Sequence, residues 1–107
     1  MTPVWQIDWR YVSHRVEVGD GSLVVVVNVS IMPPSEERER LFTANLFRAT
    51  LGGDVIWQVE GQPDIWPASS YIAVERVGAD IIAWTGAGRM YSVNEDNGGI
   101  KYVGYTR

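Results

Sequence analysis

The sequence predicts an all-β fold, an antiparallel meander of seven or eight strands closing as a sandwich or an open barrel. Three observations predict it. Glycine-bearing turns punctuate the second half at intervals of about ten residues. The stretches between them carry period-two or β-branched patterns. A glycine–aromatic spacing also occurs twice, Gly53-Asp54-Val55-Ile56-Trp57 and Gly98-Gly99-Ile100-Lys101-Tyr102, each time after an apolar run (Asn45 to Leu51, Met90 to Val93). It reads as strand, glycine turn, strand, with the aromatic anchoring the second strand. The 107 residues make one domain, long enough to bury a core without staples.

The first strand runs from about Val4 to Val18. Ile7, Trp9 and Tyr11 alternate with polar neighbours, and the apolar face then moves to Val12, Val16 and Val18. That change of phase predicts a bulge between Val12 and His14. Gly19-Asp20-Gly21 is a hairpin turn. The second strand is Ser22 to Met32 and ends at Pro33-Pro34. Its start is apolar on both faces, Leu23, Val25 and Val27 on one and Val24 and Val26 on the other. It is therefore expected to be covered on both sides and to lie centrally in the sheet or across an oligomer interface.

Ser35 followed by Glu36 and Glu37 signals the start of a short helix over Glu36 to Thr43. The rival reading runs Arg40 to Leu51 as one long strand. Further on, strands are expected at Asn45 to Leu51, Val55 to Glu60, Tyr71 to Val77, Ile81 to Thr85, Arg89 to Asn94 and Ile100 to Thr106. Gly61 to Ser70 is the one long loop.

The net charge of −4 gives no global attraction to phosphate backbones or anionic lipid. The alternating Glu36-Glu37-Arg38-Glu39-Arg40 is a mixed-charge surface rather than a nucleic-acid patch. The lack of cysteine removes disulfides, thiol nucleophiles and cysteine-based zinc sites. Met1 to Gln6 lacks the pattern of a signal peptide, and the longest apolar run, Leu23 to Val27, falls far short of the roughly 20 residues that span a bilayer. The expectation is a soluble, cytoplasmic protein with no nucleic-acid or membrane partner and no cofactor.

Tyr91, Val93, Asn94, Asn97, Gly98 and Tyr102 fall on the positions of the aromatic–Leu–Asp–Thr-Gly–Trp repeat, and this part of the chain resembles quinoprotein-type β-propeller repeats. Leu46 to Trp57 is a looser second copy, keeping Gly53 and Trp57, 45 residues upstream. Asn94, Asn97 and Tyr102 depart from the repeat's Asp, Thr and Trp. Two units cannot close a propeller of about four to eight blades. The resemblance implies strand–turn–strand units with a docked aromatic, and carries over no quinone and no dehydrogenase activity. The order Asn-Leu-Phe, Val-Ile-Trp-Gln-Val-Glu, Ser-Tyr and Ala-Trp also resembles a loose set of short bacterial proteins of unknown function.

No catalytic, metal or nucleotide motif stands out. His14 is the only histidine, and a Ser-His-Asp set can be assembled from Ser13 or Ser30, His14 and Asp8 without support from their spacing. Asp54, Asp64, Asp80 and Asp96 sit in turns, where a carboxylate hydrogen-bonds its own backbone. Asn94 to Gly99 has the alternate oxygens of a calcium loop, but Tyr105 occupies the position of the bidentate glutamate. The loop Gly61 to Ser70 is the functional candidate, because it holds Ile65 and Trp66 on a proline-stiffened segment. Its ligand- or partner-binding set is Ile65, Trp66, Tyr71 and Trp84.

The leading expectation is a non-enzymatic binding or interaction protein that associates with itself as a homo-oligomer. One alternative is a small-molecule module whose aromatic pocket takes a cationic or sugar-like ligand. Another is a small hydrolase working through His14 or turn carboxylates.

Overall fold

Two four-stranded antiparallel sheets stack in the computed structural model, which describes residues 6–62 and 69–105. The first holds β1 (Val12–Glu17), β2 (Leu23–Val27), β3 (Leu46–Ala49) and β4 (Val55–Gln58), in that order. The second holds β5 (Tyr71–Val77), β6 (Asp80–Thr85), β7 (Arg89–Val93) and β8 (Ile100–Tyr105), also in order. Each sheet is a meander of consecutive strands, and neither closes into a barrel. Of the two architectures expected, the sandwich is the one formed.

β2 explains why the first sheet is buried on both faces. All five of its residues are buried, Val24, Val25 and Val26 completely. Val24 and Val26 point to the second sheet, where they join Val18, Leu46, Trp57 and Val59 against Tyr71, Val74, Ile81, Ala83, Tyr91 and Val93. Leu23, Val25 and Val27 point the other way, onto Ile7, Leu41, Phe47 and Ala49. Each fully buried valine contributes about 1.5–3 kcal/mol of transfer free energy. β2 lies between β1 and β3, so the central placement expected of it holds.

The outer cover of the first sheet comes from irregular segments. One is the 3-10 helix Trp9–Tyr11, where the expected first strand fails. Asp8 caps it by accepting from the Arg10 backbone N–H at 3.1 Å, which diverts the chain from extended geometry. β1 therefore begins at Val12, and the expected bulge falls between Val12 and His14. Val29–Ile31 is a second 3-10 helix, where Asn28 accepts from the Ser30 N–H at 3.0 Å, so the second strand stops at Val27 rather than Met32. The third segment is α1 (Glu36–Leu41), capped by Ser35 Oγ at 3.1 Å from the Arg38 N–H. The helical reading thus prevails over a long strand from Arg40.

The second sheet presents one face to the core. An edge-to-face series of rings, Tyr71, Tyr91 and Tyr102, leads from the interior to the surface with centroids 6.2 and 6.0 Å apart. Two sets of polar contacts lock the sheets together. Asn45 is fully buried; its Nδ2 donates to the carbonyls of Val27 and Tyr71, and its Oδ1 accepts from the Tyr71 N–H. At the other site, Trp57 Nε1 and Arg48 both donate to the Glu95 carbonyl at 2.8 Å, and the Glu60 N–H donates to the Gly98 carbonyl at 3.0 Å. The two glycine–aromatic units therefore pack on each other, across the sandwich.

Candidate functional site

Ile65 and Trp66, together with the rest of 63–68, lie outside the described residues. Tyr71 opens β5 with its ring in the core, 1% exposed, and its hydroxyl makes no hydrogen bond among the described residues. Burial, followed by the neighbouring Tyr91 and Glu60, pushes its pKa upward, because a phenolate there would lose solvation. Trp84, on β6, follows core-facing Ala83 and so points to the outer face of the second sheet. Tyr71 and Trp84 thus occupy opposite faces of one sheet and share no pocket. Trp84 is paired in a row with Ala73, Met90 and Gly104, a half-buried apolar band across that face.

That band leads to β8, the edge strand of the second sheet. Lys101, Tyr102 and Val103 are consecutively exposed, as only an edge strand allows, and Tyr105 is exposed beyond them. Lys101 is the strand's one charge. Exposed strand edges are ordinarily blunted by charge, proline, shortness or bulges. The β4 edge is only four residues long, and β1 and β5 meet at the opposite side of the sandwich. β8 is left as the long aromatic edge, bulged at Val103, which lies unpaired between the Tyr91–Tyr102 and Met90–Gly104 pairs. Its last place in a meander was the available sequence signal, since the final strand of a meander lies at an edge.

Two concave surfaces lie at opposite ends of β5. One is an open groove of about 560 Å³ beside the β5–β6 and β7–β8 turns, with Glu60, Asp80, Glu95 and Asp96 in its wall. Glu95 pairs there with Arg76 at 3.5 Å, and no group of three or more metal-ligating side chains forms among the described residues. The other is a cleft of about 420 Å³ where β1, the 3-10 turn after β2, the end of α1 and the start of β5 converge. Ser13, His14 and Ser30 line it, His14 Nδ1 lying 3.1 Å from Ser13 Oγ. Asp8, the third member of the assembled triad, is elsewhere: hydrogen bonds from Arg10, 2.7 Å at the closest, hold its carboxyl below the usual carboxylate range. The histidine has Ser13 beside it, and among the described residues no carboxylate lines its cleft.

Compared with known protein families, curated proteins and solved structures, the chain has no match. Its function must be argued from these surfaces. No helix among the described residues is long and apolar enough to cross a membrane.

Proposed function

We propose that this chain is a non-enzymatic interaction protein that pairs with a second copy of itself through β8. The observation that carries the reading is the β8 edge, six residues long with a single charge, exposed at Lys101–Val103 and Tyr105 and held at its start by the Ile100 N–H on the Glu60 carboxylate. Antiparallel pairing of two such edges about a two-fold axis between Tyr102 and Val103 is self-complementary. It sets Tyr102 opposite Val103, Ile100 opposite Tyr105, and Lys101 opposite Gly104. Aromatic and β-branched residues meet across the seam, and the two lysines do not oppose each other. The product is one eight-stranded sheet, in which each edge finds the backbone partners that P-free, nearly uncharged strands otherwise seek in aggregation.

Size-exclusion chromatography with light scattering at tens of micromolar tests this directly. The wild-type chain should elute as a dimer and Val103→Lys, which brings two more charges into the seam, as a folded monomer. Ile56→Lys on the β4 edge should remain dimeric. A wild-type monomer, or a Val103→Lys variant that stays dimeric, would remove the reading.

A further inference from the structure

We infer that the cleft around Arg38 and His14 binds a small organic monoanion, a carboxylate carried on an apolar body. Sign is the first argument. The chain carries 13 acidic residues against 9 Lys and Arg, yet among the described residues no carboxylate lines this cleft, while four line the groove at the other end of β5. Arg38 and His14 are its two basic side chains, and none of the three glutamates of α1 reaches its wall. Arg38 is half-buried and makes no ion pair among the described residues, whereas Arg10, Arg48 and Arg76 each have a carboxylate. A guanidinium left without its usual partner in a concave site is a fork suited to a carboxylate.

Shape and lining supply the rest. Ser13, Ser30, Ser69 and Ser70 line the cleft with their hydroxyls engaged by His14, Asn28 and the carbonyls of Ser70 and Phe42, so they form a fixed polar wall and leave the guanidinium as the group that meets the anion. Phe42 and Ile72 stand at the same cleft, 48% and 55% exposed, an apolar pair with no cover among the described residues. A volume of about 420 Å³ is within the range of small-molecule sites. One permanent cation and an apolar wall fit a monoanion with a hydrocarbon or aromatic body better than a bare dianion such as phosphate.

Calorimetric titration of the full chain with phenylacetate, phenylacetamide and inorganic phosphate tests the inference. Phenylacetate should bind, and the isosteric amide should bind at least about tenfold more weakly, because the guanidinium loses its charged acceptor. Arg38→Gln should weaken phenylacetate by a similar factor. Ser13→Asp, a change at an exposed position, should do so by placing a carboxylate in the cleft, and Arg15→Gln outside it should change nothing. The unfolding midpoint of each variant, kept near wild type, separates lost binding from lost folding. No binding of phenylacetate, equal binding of acid and amide, phosphate binding as tight as phenylacetate, or an Arg38→Gln variant that binds normally would each overturn it.

Discussion

Gly98 is seated on the indole of Trp57, so closely that a β-carbon on the glycine would lie 2.6 Å from the ring's Cε3. Its φ of +77° is also one that side-chain-bearing residues rarely adopt. Backbone conformation and ring contact demand glycine independently. Gly98→Ala should therefore cost about 3 kcal/mol, the sum of strain and overpacking. Gly78 has a φ of +63° but open space around it, so Gly78→Ala should cost only about 1 kcal/mol. Urea denaturation of both variants measures the difference, and equal losses would show that the indole contact is unimportant.

Asn45 is the buried link between the sheets. Truncating it strands two carbonyls, of Val27 and Tyr71, and the Tyr71 N–H. Asn45→Ala should lose about 3–5 kcal/mol. Asn45→Asp should not rescue it, because a carboxylate keeps the acceptor and loses both donors. Thermal unfolding followed by tryptophan fluorescence reads both.

Arg48 serves three diverging acceptors: Ser22 Oγ at 2.8 Å, Asp20 Oδ2 at 2.6 Å and the Glu95 carbonyl at 2.8 Å. A single ammonium cannot reproduce that fork. Arg48→Lys should cost about 1–2 kcal/mol. Asp20→Asn should cost clearly less than Arg48→Lys, since the Asp20 side chain is 59% exposed and its ion pair is screened. Comparable losses from the two changes would mean that the ion pair, not the fork, matters.

The buried hydroxyl of Tyr71 has no partner among the described residues. Tyr71→Phe should leave stability at neutral pH within about 1 kcal/mol of wild type, because no hydrogen bond is lost. In alkali the two should diverge. The folded pKa of Tyr71 lies above the unfolded value of 10.0, so the fold favours the protonated phenol. This contribution is intact below pH 10 and is lost as pH rises beyond it, where the unfolded chain releases the proton first. Wild type should therefore lose stability more steeply than Tyr71→Phe in an alkaline denaturation series.

Much of this architecture was legible where residue chemistry acts over a few positions. The doubly apolar run Leu23–Val27 announced its two covers, the phase change at Val12 its bulge, and Ser35 its helix. The misread segments share a cause. Asp8 and Asn28 each bond the N–H two residues ahead and turn an alternating pattern into a 3-10 helix, while apolar residues such as Val29 still reach the core. An Asp or Asn immediately before such a turn, accepting from the N–H two residues on, is a signal that alternation alone conceals. The cleft was illegible for another reason: residues near 13, 29, 40 and 70 meet there only after both sheets have stacked. Pairing Tyr71 with Trp84 in one pocket overlooked that a strand sends a residue next to core-facing Ala83 to the opposite face.

Both sheets are built from consecutive strands, and no described ladder runs from one to the other. The main sandwich core draws six residues from each half of the chain. A break in the connection after Gln62 would therefore leave every strand pairing within its own fragment. Each half carries one side of a shared apolar seam, so two separately made pieces should recognise each other as a reconstituting pair. In that sense the fold is already a binding reaction between two partners that happen to be tied together.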